Sequence, residues 1–151
     1  QLDERVELMD ARLRAQALDD ERCRRLQSVP GIGPLTATAL VSAIGDIGSF
    51  GSGRHLASWL GLVPKQHSTG GKPRLLGISK RGDRYLRTLL IHGARAALRG
   101  AMYRDDRCSR WVLALEKRRG RNVAIVALAN KMARMAWAMW TTQQDYQPAC
   151  A

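Results

Sequence analysis

Apolar positions recur with a helical period along most of this chain. Leu2, Val6, Met9 and Leu13 alternate at four- and three-residue spacing within a charge-rich stretch, 3–27, that lacks Gly and Pro. That is a short heptad-like seam. It fades where Gln16 and Asp20 would continue it. The pattern predicts one long helix whose first half pairs with its own copy or an upstream helix, or else lies on its own domain. Val29-Pro30-Gly31-Ile32-Gly33-Pro34 breaks this helix, and Leu35, Ala39, Leu40 and Ala43 share a face of the next. Residues 45–53 read as a loop anchored by Ile47 and Phe50, followed by a short helix over about 54–60.

The helical period then stops. Residues 61–81 are rich in Gly, Pro and cations and too long for an ordinary connector. They predict a functional loop or an irregular short hairpin. From Asp83, a helix N-terminal residue, the period returns. Tyr85/Leu86, Leu89/Leu90, Gly93/Ala94 and Ala97 form an apolar stripe, with Arg84, Arg87 and Arg95 mostly off it. A helix with Trp111, Leu113 and Leu115 follows, then a basic turn over 117–121. The last helix, about 122–140, is apolar enough to be the central core helix, its character interrupted by Asn130 and Lys131. The tail after Thr141 is expected to fray. The fold class is therefore all-α, with a helix-hairpin-helix element, one irregular loop or short hairpin, and an N-terminal coiled-coil-like helix. The expected boundaries are 1–25 for that helix, 26–141 for the main domain and 142–151 for a tail.

Charge sharpens the picture. The chain has a formal net charge of +12, which favours a polyanionic partner. The charge is uneven: 1–53 hold six basic and eight acidic residues, whereas 54–121 hold 17 basic and four acidic. The basicity therefore belongs to the middle of the chain. A surface so dense in Arg reads as a phosphate-binding face, a merely solubilising surface being the plainer alternative. Cys23, Cys108 and Cys150 are far apart and in no metal-ligand spacing, so neither a disulfide nor a zinc site is expected. No signal peptide or membrane span is visible, and a cytoplasmic protein is expected. The chain begins at Gln1, and a fragment of something longer is one expectation.

Two segments could carry function. A helix, a tight Pro-Gly-Ile-Gly turn and a second helix suit a helix-hairpin-helix. Gly31 and Gly33 free backbone amides to approach a phosphate, and the next helix adds its positive dipole end. The plainer reading is an αα-corner that touches no DNA. The second segment is 61–81. There Ser68 follows His67, precedes Gly70 and Gly71, and has Lys72, Arg74, Lys80 and Arg81 nearby. A nucleophilic hydroxyl needs its proton removed, and phosphoryl transfer needs cations and amides around the equatorial oxygens. The alternative is a phosphate-binding loop in which Ser68 only hydrogen-bonds a phosphate. Asp83, Asp105 and Asp106 are too scattered for a two-metal site.

The runs Pro-Gly-Ile-Gly-Pro-Leu-Thr-Ala, Ile44-Gly-Asp-Ile, His55-Leu-Ala-Ser-Trp-Leu-Gly-Leu-Val-Pro, His-Ser-Thr-Gly-Gly-Lys and Ile-Ser-Lys-Arg-Gly-Asp-Arg-Tyr-Leu-Arg-Thr-Leu-Leu together resemble one family. It is the C-terminal domain of IS116/IS110/IS902-type insertion-sequence transposases, related to the Piv-type DNA invertases. The resemblance covers roughly 26–140, and 1–25 are similar in character to the coiled coil that precedes this domain. It implies an enzyme, a DNA strand-exchange recombinase acting on element ends and target DNA through a serine nucleophile. The family's serine falls at Ser68, with Ser79 the weaker second choice; Thr69 stands where many relatives have a second serine. DNA or phosphate contacts are expected at Gly31, Gly33, Thr69, Gly70, Lys72, Arg74, Lys80, Arg81, Arg84 and Arg87. The resemblance also implies a homo-oligomer formed through the N-terminal helix, a non-coding bridge RNA, and work at the bacterial nucleoid. No cofactor is expected in this chain; Mg2+ is implied for a RuvC-like domain that nothing here resembles, so the chain is expected to be incomplete without it. The competing function is a non-catalytic nucleic-acid-binding module.

Overall fold

The computed structural model describes the backbone of residues 1–69 and 72–148, and the side chains of those residues outside 66–76. Seven α-helices and one two-stranded sheet make up the described chain: α1 (Leu2–Asp19), α2 (Glu21–Leu26), α3 (Pro34–Ile44), α4 (Gly53–Trp59), β1 (Pro64–Thr69), β2 (Lys72–Ile78), α5 (Arg84–Ala101), α6 (Arg107–Arg119) and α7 (Arg121–Thr142). The expected all-α class holds, and 61–81 resolves into a hairpin rather than an open loop. Among the described residues no helix is long and apolar enough to cross a membrane.

Helix starts follow local chemistry. Asp20, Ser52, Asp83 and Asp106 each accept a backbone amide of the first turn, from Arg22, His55, Leu86 and Ser109 respectively, which satisfies donors a helix cannot pair internally. Pro34 opens α3 at its first turn, where its missing N–H costs nothing. Gly120, at φ 92°, both ends α6 and precedes α7. The basic turn expected over 117–121 is thus one residue wide, and its cations lie in the flanking helix ends.

α7 is the central helix, as its composition predicted. Ala124, Ile125, Leu128, Ala129, Met132, Ala133 and Ala136 are buried along it, and α2, α4, α5 and α6 all pack against it. Small side chains let those helices approach closely. Gly53 at the start of α4 shows this: a Cβ there would lie 3.0 Å from the Arg134 Cα. Trp137 Nε1 donates to the Phe50 carbonyl at 3.0 Å, tying the loop before α4 to the same helix.

Two expectations need correcting. The predicted single helix over 3–27 is broken at Asp20, whose backbone is extended (φ −90°, ψ 117°). Asp20 uses its carboxylate to cap α2 and to pair with Arg22 at 2.7 Å. The break lets Ala17, Cys23 and Leu26 all enter the core. The seam residues Leu2, Val6 and Met9 remain exposed. Nor does the described part of the tail fray. Gln143 is left-handed (φ 56°), and the chain reverses so that the Tyr146 amide donates to Ser28 Oγ at 2.8 Å. The Tyr146 ring packs against the core beside Cys108 and Asp106. Burial raises both described thiols, Cys23 and Cys108, above the ordinary cysteine pKa, which disfavours the reactive thiolate.

The α2–α3 turn is fixed by contact between two backbones. A Cβ on Gly31 would lie 2.6 Å from the Gly93 carbonyl oxygen, and one on Gly93 would lie 2.0 Å from that of Gly31. Gly93 sits inside α5, where Gly→Ala normally stabilises by about 1 kcal/mol. Here the sign should reverse: Gly93→Ala is expected to cost about 2 kcal/mol or more in urea unfolding, and an unchanged or raised midpoint would refute this contact. Tyr146 gives a second test. Burial, its largest cause, pushes the phenol up to about 12. A raised folded-state pKa means stability is full below pH 10 and falls as pH rises toward 12. Tyr146→Phe should remove that part of the fall, seen as a shallower pH dependence of the melting temperature than in the unaltered chain.

Candidate functional site

The hairpin pairs antiparallel, with Pro64 opposite Ile78, Gln66 opposite Leu75, His67 opposite Arg74, Ser68 opposite Pro73 and Thr69 opposite Lys72. The register shifts between Pro64 and Gln66; such irregularities bend and twist a ribbon. Alternate positions of a pleated strand belong to opposite faces. By register, then, position 68 shares a face with 73, while 67, 69, 72 and 74 share the other. The backbone of Ser68, Thr69, Lys72 and Arg74 is placed in this way, and their side chains lie outside the described residues. Gly70 and Gly71 lie outside them altogether.

The base of the hairpin is a tight neck. Gly61 has φ 73°, and a Cβ there would lie 2.1 Å from the Arg81 carbonyl oxygen. Gly82 has φ 102°, and a Cβ there would lie 1.9 Å from the Trp59 carbonyl oxygen. Only glycine fits either place. Across this contact the Lys80 amide donates to the Gly61 carbonyl at 3.1 Å and the Ser79 amide to that of Val63 at 2.8 Å. Lys80 itself is left-handed, at φ 55°. Ser79, the second-choice serine, is half-buried in the neck, its Oγ accepting from the Arg81 amide at 3.4 Å.

Side chains from the helical body brace the same neck. Asn130 of α7 donates Nδ2–H to the Leu62 carbonyl at 2.9 Å. Arg87 of α5 donates to the Leu60 carbonyl at 3.3 Å and is only 9% exposed. Arg87 therefore parts company with the other candidate phosphate contacts. The expectation that it lies off the apolar stripe is overturned, because its guanidinium turns inward to pair a carbonyl of the neck. Lys80, Arg81 and Arg84 are exposed around the neck, and Asp83 between them caps α5, its Oδ1 accepting the Leu86 amide at 2.9 Å.

Beside the neck runs a groove walled by Pro64, Gly77 and Ile78 on one side and by α7 on the other. Its floor is apolar, with Leu62, Val123 and Val126, while Lys80, Arg119, Lys131 and Arg134 line it without a carboxylate. Lys131 Nζ stands 4.8 Å over the Trp111 ring. The interruptions at Asn130 and Lys131 in an apolar helix signalled this in the sequence, but not what they would touch.

The two glycines of the α2–α3 turn separate in role. Gly31 is occupied by its contact with Gly93, whereas a Cβ on Gly33, which precedes α3, would meet nothing within 4 Å. Gly33 and the N-terminal end of α3 thus leave room for an anion to approach. Gly31 does not. Among the described residues no group of three His, Cys, Asp or Glu side chains gathers as a metal site.

Comparison with known proteins places the chain in a family. Residues 23–107 match the family described as Transposase IS116/IS110/IS902. The chain is 50% identical over 147 residues to a probable family 20 transposase of Pseudomonas aeruginosa, covering 97% of this chain and 44% of that protein. It is 51% identical to the transposase for insertion sequence element IS1111A of Coxiella burnetii, over 96% of this chain and 40% of that protein. Over 48% of its length it is also 41% identical to a pilin gene-inverting protein of Moraxella bovis, covering 23% of that protein. The chain spans less than half the length of these relatives.

The brace on the neck is testable by itself. Asn130→Ala leaves the Leu62 carbonyl without this donor, at an expected cost of about 1–2 kcal/mol. The Ser79 and Lys80 amides should then exchange with deuterium faster, while Lys131→Ala leaves them unchanged. Equal protection in Asn130→Ala would show that α7 does not hold the hairpin.

Proposed function

Because the chain belongs to the IS116/IS110/IS902 transposase family, we propose that it is the DNA-engaging and strand-transfer domain of an insertion-sequence transposase, with Ser68 as nucleophile. One observation carries the reading: Ser68 stands at a paired backbone position of a hairpin whose base is locked to the helical body. A nucleophile presented on a rigid support holds its geometry better than one on a free loop. In the step itself the Ser68 Oγ–P bond forms as the P–O bond to the leaving sugar oxygen breaks. The serine proton passes to a base or to water, and the leaving oxygen takes up a proton as a free hydroxyl. The phosphoserine keeps the bond energy for the reverse attack, so strand exchange needs no ATP.

Register puts Ser68 and the Lys72 and Arg74 positions on opposite faces of the hairpin. In this reading the exposed Lys80, Arg81 and Arg84 at the neck help to steady the attacked phosphate. A RuvC-like domain, whose acidic residues would hold Mg2+, belongs to the same proposal, and the greater length of the relatives leaves room for one in them. Gly33 with the start of α3, Thr69, Gly70, Lys72 and Arg74 complete the DNA contacts in this reading. A bridge RNA and pairing of copies through α1 belong to the same proposal; the exposed Leu2, Val6 and Met9 support the pairing. Ser79 is the weaker nucleophile, because its hydroxyl already serves the neck.

The test mixes the chain with a RuvC-like partner domain in trans, element-end junction DNA and a guide RNA, then looks on denaturing gels and by mass spectrometry for DNA attached to protein. An adduct is expected in the unaltered chain and in Ser79→Ala, and none in Ser68→Ala. DNA binding without any adduct would leave a binding module rather than a recombinase domain.

A further inference from the structure

α5 carries a second cationic surface, separate from the neck. Arg84, Thr88, His92, Arg95 and Arg99 are all exposed. With 3.6 residues per turn they fall within about 80° of arc, one above the next. The buried Leu86, Leu90, Ala94, Ala97 and Ala101 occupy the opposite side of the helix. Gly93, which meets Gly31, lies between the two. The stripe is therefore a free face of α5, opposite the face that packs into the core.

Its chemistry is uniform. α5 contains no Asp or Glu, and among the described residues none of the ion pairs involves a residue of the stripe. Arg95 Nη1 lies 3.2 Å from His92 Nδ1, and Thr88 Oγ1 donates to the Arg84 carbonyl at 2.8 Å. The other contacts of these side chains thus stay on the helix. An unpaired row of guanidinium groups is what phosphate oxygens recognise. Arg95 and Arg99 stand about 6 Å apart along the axis and Arg84 about 16 Å before Arg95, on an 18-residue helix about 27 Å long. A straight rigid row suits a regular duplex backbone, which presents a phosphate every ~3.4 Å of axis on each strand, better than it suits splayed single strands.

We propose that the Arg84–Thr88–His92–Arg95–Arg99 face of α5 is a duplex-DNA backbone site that anchors DNA running away from the hairpin neck. This rests on the reading of the chain as a DNA-engaging domain and adds where the flanking duplex is held. Arg84 belongs to both surfaces, since it opens α5 immediately after the neck. The contacts are to phosphates, so the site fixes position and orientation without reading sequence.

The probe is a fluorescent duplex DNA of about three helical turns without element sequence, titrated with the chain between 50 and 300 mM KCl. Arg84→Ala/Arg95→Ala/Arg99→Ala is compared with Arg5→Ala/Arg12→Ala/Arg14→Ala, an equal charge loss on exposed positions of α1. Circular dichroism and melting confirm that both are folded, and the single variant Arg95→Glu repeats the test with least disturbance. The α5 triple variant is expected to bind roughly tenfold or more weakly near 0.15 M salt, with a log–log salt slope shallower by about 2–3. The α1 variant should keep the slope of the unaltered chain. An α5 variant with unchanged slope, or α1 and α5 variants that weaken equally, would overturn the site while leaving the DNA-engaging reading standing. No binding by the unaltered chain at 50 mM KCl would overturn that reading too. Tighter binding of duplex RNA of the same length, lost in the α5 variant, would replace DNA as the ligand.

Discussion

Main chain presses on main chain at Gly61 and Gly82, where a Cβ atom would sit 2.1 and 1.9 Å, respectively, from a carbonyl oxygen. Everything that gives the hairpin a fixed place depends on that contact. A two-stranded ribbon alone is marginal in water. Here its base is held by paired amides, by Asn130 from α7 and by Arg87 from α5. The two longest core helices thus grip the neck from the side, and motion of the hairpin relative to the body has to break several hydrogen bonds at once.

The same device, glycine against backbone, sets the α2–α3 turn on α5 through Gly31 and Gly93. α5 is therefore gripped at both ends of the functional region. Its first turn follows the neck, and its middle seats the turn whose Gly33 stays open. Arg87 and Arg84, three residues apart, show how sharply the helix divides its tasks: one arginine is buried on a carbonyl and the other is exposed. Composition alone cannot separate two such arginines. Helical phase puts position 87 only at the border of the stripe, beyond Ala94, and it is the contact with the Leu60 carbonyl that shows its guanidinium turned inward.

That contrast locates what the sequence disclosed. Periodicity found α3, α5 and α7, because an apolar stripe is a local property of the chain, and the expected ranges 54–60 and 122–140 lie within two residues of α4 and α7. Gly and Pro in 61–81 excluded a helix and left the hairpin as one of two choices. The break at Asp20 was less visible: aspartate in a charged helix reads as a solvent residue until its carboxylate is seen to cap the next turn. The folded-back Tyr146 left no periodic trace at all, since a single ring filling a gap between α5, α6 and the α2–α3 turn is a tertiary event. Gly31 shows a different limit. A glycine admits close approach from either side of the chain, and the sequence does not tell whether a phosphate or another backbone arrives.

The distribution of charge follows from this packing. Helices that close on an alanine-rich α7 leave arginine no room inside unless it finds a carbonyl, so Arg84, Arg95 and Arg99 stand on the outer face of α5, Lys80 and Arg81 at the neck and Arg119 along the groove beside it. These surfaces border one another through Arg84 and Lys80. On the proposed reading, a polyanion held on α5 would run past the neck toward the hairpin. In the proposed reading, the glycine contacts and the one-sided arginine helix would together fix the direction in which a bound strand meets Ser68. A free loop with the same residues would supply the charge but not the direction.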